Sequence, residues 1–281
     1  MFLPFAMALL TGPPAMSAPA AKVQTVFVKV GPMPGVSGRS SGQDRAVVLI
    51  HGLGLHMVSA EKPVRAYLRP WQQSDHPLVR RLAQDSDVYA LAYGQNLPLG
   101  EVVSSEEIHR HVRSLKGIGY KQVVLVGHSA GGLIARELVE DHADLGVTRV
   151  VQVCSPNEGS GWAALRTARA AQMPFLVSLT RAGREKVIDQ RYPGKRIPDS
   201  IGFACVVASC RLGGDGVVSC RSQWSAELQA QGVPAYSIRA THWDAMTSSR
   251  TPDLLARLVA EPMPRWDEAK VIEARMALIG K

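Results

Sequence analysis

The stretch VGHSAGG at residues 126–132 limits the possible folds more than any other part of this chain. An apolar run at residues 122–126 leads into it, and an amphipathic segment, LIARELVED, follows at residues 133–141. Three glycines therefore surround one serine where a strand gives way to a helix. Either Ser129 caps that helix, or a strained turn holds its hydroxyl above the edge of a sheet as a nucleophile. The other motifs decide between these interpretations.

The order of the apolar segments predicts an alternating α/β fold. Residues 46–50 read AVVLI, a continuous apolar run that is typical of a strand buried on both faces of a parallel sheet. Strands that alternate with helices form a doubly wound, mostly parallel sheet, and its ligand site lies beyond the carboxyl ends of the strands. Further strands are predicted at residues 23–30, 88–93, 122–126, 147–153, 203–208 and 235–239, and helices at residues 77–84, 104–115, 133–141 and 265–278 and from Thr251 onward.

The composition fits one folded domain. The chain has 281 residues, of which 46% are hydrophobic and 20% are charged, and its net charge is +8. A chain of this length buries an ample core, and α/β chains of this size commonly fold as a single domain. We assign residues 21–281 to that domain. No nucleic-acid-binding motif accompanies the positive charge, so no nucleic-acid partner is predicted.

The first residues have the features of an export signal. Residues 2–10 are apolar, Pro13 and Pro14 end the run, and APA at residues 18–20 offers a small-x-small cleavage pattern. The run is too short to span a bilayer, so no transmembrane anchor is predicted. We predict a signal peptide at residues 1–20 and an exported protein, periplasmic or secreted, although no Lys or Arg precedes the apolar run.

Export to an oxidising compartment permits disulfides, and the chain has four cysteines. Cys154 and Cys205 lie in apolar runs and are expected to be buried thiols. Cys210 and Cys220 bracket the glycine-rich segment CRLGGDGVVSC, which favours a disulfide between them. No C-x-x-C pair or His/Cys cluster indicates a metal site, and no cofactor is predicted.

A serine hydroxyl needs a general base to act as a nucleophile. The chain offers eight histidines. His242, in the segment RATHWDAM, directly follows the last predicted strand and therefore lies at the carboxyl edge of the sheet. We predict that His242 is the base for Ser129.

The base in turn needs a carboxylate that fixes its tautomer. Asp215, in the segment GGDGVVS, follows the predicted strand at residues 203–208. Glu158, one strand earlier, and Asp244, close to His242 in the chain, are the alternatives. We assign Asp215, which places the three side chains in the order serine, acid, histidine along the chain.

The tetrahedral intermediate of acyl transfer needs preorganised N–H donors. The amide of Ala130, next to the serine, is one candidate. The segment LIHGLG at residues 49–54 ends a buried strand at the same edge of the sheet, and it supplies the amide of Leu53 as the second. Both roles belong to the backbone, so they depend on where the chain runs and little on the side chain.

These motifs together resemble the α/β-hydrolase superfamily and, within it, the bacterial lipases and esterases. LIHGLG resembles the oxyanion-hole motif, GHSAGG the nucleophile elbow, GGDGVVS the acid loop and RATHWDAM the histidine loop. In VVQVCSPNEGS, Cys154, Ser155 and Asn157 stand where the lipase pattern commonly has glycine, threonine and histidine. The resemblance covers residues 47–258 and implies the predicted fold, a Ser-Asp-His triad and no cofactor.

The α/β alternation stops at about residues 159–200, where this superfamily commonly carries a helical cap. Residues 161–196 hold eight basic and two acidic residues, interleaved with apolar side chains such as Trp162, Phe175 and Leu176. One interpretation is a solvated basic face over an ordinary cap core. The other is a lid that contacts acyl chains and an anionic lipid surface.

The sequence therefore predicts an esterase or lipase that cleaves carboxylic esters through an acyl-enzyme intermediate. Two alternatives remain open. The same triad would also serve an acyltransferase, in which an acceptor alcohol replaces water. The second alternative is a catalytically silent binding protein with a hydrolase fold. The complete triad argues against it, since a binding protein does not need a nucleophile, a base and an acid together.

Overall fold

The computed structural model describes residues 22–54, 64–165, 170–191, 194–210 and 213–280. The predicted signal peptide, residues 1–20, lies outside them, so export stays a prediction. None of the helices in these ranges is long and apolar enough to cross a membrane.

The described residues form one seven-stranded sheet, and each strand begins and ends within two residues of its predicted bounds. The strands are β1 (Thr25–Gly31), β2 (Arg45–Ile50), β3 (Asp87–Tyr93), β4 (Gln122–His128), β5 (Arg149–Val153), β6 (Gly202–Ser209) and β7 (Ala235–Arg239). Their order in the sheet is β1-β3-β2-β4-β5-β6-β7. Only the edge pair β1–β3 is antiparallel, so the mostly parallel sheet is confirmed.

Ten α-helices lie in the described ranges, and three of them were not expected from the sequence. The helices are α1 (Pro77–Leu82), α2 (Leu99–Val103), α3 (Glu106–Gly117), α4 (Ala130–Asp141), α5 (Met173–Val177), α6 (Arg181–Arg191), α7 (Cys220–Gln223), α8 (Ala226–Ala230), α9 (Thr251–Ala260) and α10 (Glu268–Leu278). The helices that were not predicted are α2, α7 and α8.

Helices cover both faces of the sheet, which explains why β2 is apolar at every position from 46 to 50. Successive side chains of a strand point to opposite faces. Val48 and Ile50 belong to a core cluster that includes the apolar faces of α3 and α4. Val47 and Leu49 belong to a second cluster that includes residues of α1 and α9. The sheet is therefore doubly wound, as predicted.

The register of the parallel strands brings the ends of β2, β4 and β5 side by side. Ile50 pairs with Gly127, and His128 pairs with Val153. The amide of Ser129 continues this ladder by donating to the Val153 carbonyl at 2.8 Å. The loops after these strands consequently leave from one edge, and the loops after β6 and β7 leave from the same edge because those strands are parallel to them.

Helices α5 and α6 occupy the segment predicted as a cap, and α5 packs into the main core. Phe175 and Leu176 are 0% and 1% exposed and belong to the same cluster as α3 and α4. The ring of Phe175 lies 5.8 Å from that of Tyr93 at the end of β3. Two of the three apolar side chains predicted to enter lipid are therefore buried in the protein itself.

Basic side chains of the cap segment pair with acids of α4. Arg184 is 2.7 Å from Glu137, and both side chains are almost fully buried. Arg191 and Lys195 both pair with Asp141, at 2.7 Å and 3.2 Å. These three cations face the body of the protein. Exposed cations such as Arg181 and Lys186 remain for the predicted contact with an anionic surface.

Candidate active site

Ser129 is the single residue between β4 and α4. Its backbone has φ 55° and ψ −125°, and its side chain makes no capping hydrogen bond to α4. A positive φ at a residue with a side chain costs about 1–3 kcal/mol, and such strain concentrates at functional sites. The geometry is that of a strained turn that presents the hydroxyl, and the interpretation of Ser129 as a capping residue is not realised.

The glycines around Ser129 are required by close backbone approaches. A Cβ atom on Gly131 would overlap with the carbonyl oxygens of Ile50 and His51, at the end of β2. A Cβ atom on Gly127 would overlap with the backbone of Gly131 and Gly132. The turn therefore fits under the neighbouring strand only because these positions lack side chains.

The structure brings Ser129, His242 and Asp215 together in one hydrogen-bonded line. His242 Nε2 is 3.0 Å from Ser129 Oγ, and His242 Nδ1 is 2.7 Å from Asp215 Oδ2. The three side chains are buried, with Ser129 7% exposed, His242 4% and Asp215 1%. Because a carboxylate accepts the Nδ1–H, the lone pair of His242 lies on Nε2, where it faces the Ser129 hydroxyl as a hydrogen-bond acceptor.

The loop that carries Asp215 is held by backbone hydrogen bonds. Asp215 Oδ1 accepts from the amides of Val217 and Val218 at 2.9 Å and 2.7 Å. Burial raises the pKa of the Asp215 carboxyl, but the hydrogen bond and charge of His242 and these two amides together hold that pKa below its ordinary value. Asp215 is therefore ionised at neutral pH beside the histidine ring.

The two alternative acids have other partners. The Glu158 carboxylate accepts from the amide of Ala226 at 3.4 Å and lies 3.5 Å from Arg221. The Asp244 carboxylate accepts from the hydroxyl of Thr241 at 2.6 Å, within a local turn. Neither carboxylate is hydrogen-bonded to the His242 ring in the described residues, and Asp215 is.

His128, the residue before Ser129, is a neighbour of His242 that the sequence analysis did not single out. Its Nε2–H donates to the backbone carbonyl of His242 at 3.1 Å, and the two rings are 5.0 Å apart. Burial and the positive charge of His242 lower the pKa of His128 to about 3. His128 is therefore neutral at physiological pH and anchors the backbone of the histidine loop.

The segment with Leu53 lies directly against the serine. A Cβ atom on Gly52 would be 2.5 Å from Ser129 Cβ, and Leu53 lines the same cavity as Ser129 and His242. Ala130 opens α4, where the N–H groups of the first turn have no partner within the helix and carry the positive end of its dipole. Both predicted oxyanion donors thus belong to segments beside Ser129.

A cavity opens at Ser129 and His242, and its volume is about 410 Å³ when the space open to solvent is included. Its walls are mainly apolar, and they come from the cap segment, the acid loop and the histidine loop. Among the lining residues are Leu53, Trp162, Leu176, Val218 and Trp243.

The predicted disulfide between Cys210 and Cys220 is wrong, since both residues are free thiols. The sulfur of Cys210 points at the carbonyl of Gly214 at 3.1 Å, and backbone hydrogen bonds close the loop in place of a covalent bridge. Cys154 and Cys205 are 0% and 1% exposed, so their predicted burial is confirmed. The cysteines give no support to the prediction of export.

Comparison with known proteins extends these observations. Residues 47–277 match the family model described as "Alpha/beta hydrolase family". A lipase of Bacillus licheniformis, BlEst2 in mature form, superposes with a TM-score of 0.62 at 14% identity, over 83% of this chain and 98% of the lipase. A metagenomic carboxyl esterase superposes with a TM-score of 0.51 at 18% identity, over 86% of this chain and 77% of the esterase. A search of curated proteins found no significant match.

Proposed function

Since the chain belongs to the alpha/beta hydrolase family, we propose that it hydrolyses carboxylic esters at Ser129 through an acyl-enzyme intermediate. One observation carries the proposal: His242 links Ser129 Oγ, at 3.0 Å, to the carboxylate of Asp215, at 2.7 Å, at the mouth of an apolar cavity. The likeness to a lipase and a carboxyl esterase supports the fold on which such a site is built.

In the first half-reaction, Ser129 Oγ attacks the ester carbonyl while its proton moves to His242 Nε2. The carbonyl oxygen takes up the electron pair and becomes an oxyanion, for which the amides of Leu53 and Ala130 are the proposed donors. The intermediate then collapses. The bond to the alcohol breaks, and the alcohol leaves with the proton from His242.

In the second half-reaction, water replaces the alcohol. His242 takes a proton from the water, the resulting hydroxide attacks the acyl-enzyme, and the proton returns to Ser129 as the carboxylic acid leaves. Asp215 stays ionised throughout, and it stabilises the imidazolium that forms in each half-reaction. The chemistry uses only side chains and amides that are present in the described residues.

The cavity favours an esterase over a lipase for long-chain fats. Trp162, Leu176 and Trp243 bound the cavity closely, which favours a short or medium acyl chain. Phe175 and Leu176 are packed in the core and are not available to enter lipid. We therefore expect turnover of dissolved esters without a lipid interface.

The test is reaction with a fluorophosphonate together with hydrolysis of p-nitrophenyl esters of increasing acyl length. Wild-type protein should be labelled, and Ser129→Ala should lose both the label and about 10⁴-fold or more of kcat. Ser249→Ala, at an exposed serine, is the matched control and should behave as the wild type.

Absence of labelling and turnover in the wild type would favour the silent binding protein. Labelling with release of an acylated acceptor alcohol, in place of free acid, would favour the acyltransferase. Mass spectrometry of the products separates these outcomes.

A further inference from the structure

Two buried glutamines hold the segment that carries the Leu53 amide. Gln95, two residues after β3, is 3% exposed, and Gln172, directly before α5 in the cap segment, is 0% exposed. Glutamine is seldom fully buried unless its amide is hydrogen-bonded. The hydrogen-bond partners of the two side-chain amides therefore indicate why glutamine occupies these buried positions.

The side-chain amide of Gln95 binds the backbone on both sides of Leu53. Its Nε2 donates to the carbonyl of Gly52 at 2.8 Å, and its Oε1 accepts from the amide of Gly54 at 2.9 Å. The ring of His51 donates to the same Gly52 carbonyl from Nδ1, at 2.8 Å. The Gly52 carbonyl is thus fixed by two donors.

Fixing that carbonyl also fixes the direction of the Leu53 N–H. The two groups belong to one planar trans peptide unit, in which C=O and N–H point in opposite directions. Since the Gly52 oxygen points at Gln95, the Leu53 N–H points away from Gln95. Gly52 lies against Ser129, and Leu53 lines the cavity at Ser129 and His242.

Gln172 completes the arrangement from the cap segment. Its Nε2 donates to the carbonyl of Gly54 at 2.6 Å and to Gln95 Oε1 at 3.2 Å. Its own Oε1 is buried and has no hydrogen-bond partner among the described residues. An unpaired buried acceptor is costly, so a purely structural role would be met better by an apolar side chain.

We infer that Gln95 is a positioning residue for the oxyanion donor at Leu53, and that Gln172 makes this donor dependent on the cap segment. The inference rests on the proposed function, because it names the groups that orient one of its oxyanion donors. It assigns Gln172, 77 residues from Gln95 in the chain, to the same site.

The decisive variant is Gln95→Glu. Glutamate has the same shape and keeps an acceptor for the Gly54 amide, but it replaces the donor to the Gly52 carbonyl with an oxygen that repels it. The Gly52–Leu53 peptide unit then loses its fixed direction. Loss of one oxyanion donor lowers kcat about 10²–10³-fold, and we expect a misdirected donor to lower it by about 10–100-fold, with KM within about twofold.

A tetrahedral mimic gives the readout that separates positioning from stability. In an alkyl trifluoromethyl ketone, Ser129 Oγ bonds to the carbonyl carbon, its proton passes to His242, and the carbonyl oxygen becomes an oxyanion in the donor site. The Ki of this inhibitor should rise for Gln95→Glu by about the same factor as kcat falls.

The matched control is Gln231→Glu. Gln231 accepts from the Ile197 amide at 3.0 Å and donates to the Glu227 carbonyl at 3.1 Å, the same pair of backbone bonds, and neither partner lines the cavity. This control should lower Tm without changing kcat or Ki.

Gln172→Leu should lower kcat less than Gln95→Glu does. The fold-loss in kcat of the double variant should be smaller than the product of the two single fold-losses, because Gln95 and Gln172 orient the same backbone segment through one pair of side-chain amides. If Gln95→Glu does not fold, the same measurements on Gln172→Leu decide the question.

An unchanged kcat, or a change in kcat and Ki no larger than in Gln231→Glu, would overturn the inference. Turnover by the wild type that Ser129→Ala abolishes would leave the proposed function standing in that case. A wild type without turnover would refute the proposed function first.

Discussion

Replacement of Asp215 by asparagine tests the orientation of His242 with the smallest possible change in shape. Asparagine keeps an oxygen for the amides of Val217 and Val218, which Asp215 binds at 2.9 Å and 2.7 Å. Its second polar atom, however, becomes an NH₂ donor facing His242 Nδ1, where the carboxylate oxygen now lies at 2.7 Å.

Two donors cannot share that contact, so the histidine must move its proton from Nδ1 to Nε2. The Nε2–H then faces Ser129 Oγ at 3.0 Å, and no lone pair remains there to accept the serine proton. Enzymes of this type lose about 10⁴-fold in kcat from the wrong tautomer, which corresponds to about 5.4 kcal/mol of transition-state stabilisation. We expect a loss of that size for Asp215→Asn.

The assay is the initial rate with the best p-nitrophenyl ester, with the circular dichroism melt of each variant as a folding check. Glu158→Gln is the matched control, because Glu158 was the alternative acid and pairs with Arg221 and Ala226 instead. It should retain nearly full activity. A variant Asp215→Asn within tenfold of wild-type kcat, or an equal loss in Glu158→Gln, would refute the assignment.

Acidification supplies an independent check on the same carboxylate. The pKa of Asp215 is lower in the folded protein than its ordinary value, so the folded state binds fewer protons there than the unfolded chain. The stability that the carboxylate contributes is present above the ordinary aspartate pKa of about 4 and is lost as the pH falls toward the folded pKa. Asp215→Asn removes this acid-dependent part of the stability.

Two further predictions concern stability. The pKa of His128 is lowered to about 3 in the folded protein, so between about pH 6.5 and pH 3 only the unfolded chain binds a proton at this histidine. His128→Gln keeps a donor for the His242 carbonyl, and it should reduce the loss of unfolding free energy between pH 7 and pH 5 by about 2 kcal/mol. An unchanged pH dependence of the unfolding free energy in urea titrations would contradict this prediction. Arg184→Met should lower the free energy of unfolding by about 3–5 kcal/mol, because it leaves the Glu137 carboxylate buried without its cation. The double variant Arg184→Met, Glu137→Leu should recover most of that stability. Wild-type stability of Arg184→Met alone would show that the ion pair is not buried in solution.

The sheet was predictable because most buried positions of its strands are apolar, so the signal is local. AVVLI at residues 46–50 is typical of a strand covered on both faces, and each of the seven strands lies within two residues of its predicted bounds. The topology then indicated where the site lies, because the loops that follow different strands of a parallel sheet meet at one edge. For that reason Ser129, Asp215 and His242 could be selected from the sequence although 113 residues separate the first from the last.

The parts that could not be predicted depend on directions and partners that a sequence does not encode locally. Cys210 and Cys220 have a suitable spacing, but a disulfide needs Cβ atoms that face each other, and spacing does not report that. Gln95 and Gln172 are uncharged and belong to no motif, so nothing marked them. Arg184 counted as part of a basic surface because its partner, Glu137, is 47 residues away.

These same partners decide how the cap segment acts. It is attached to the body of the protein near three places: the Gln172 amide binds Gly54, Ser178 Oγ accepts from the Leu99 amide at 3.1 Å, and Arg184 pairs with Glu137. Opening of the cap would have to separate this buried ion pair together with the two hydrogen bonds, which disfavours an opened form. A lid that lifted to meet lipid would also release the Gly54 carbonyl beside the Leu53 amide. The proposed oxyanion donor would then be less well oriented when the tetrahedral intermediate forms. We therefore expect the cap to act as a fixed wall of the site, with Trp243, which is 60% exposed next to His242, at its rim.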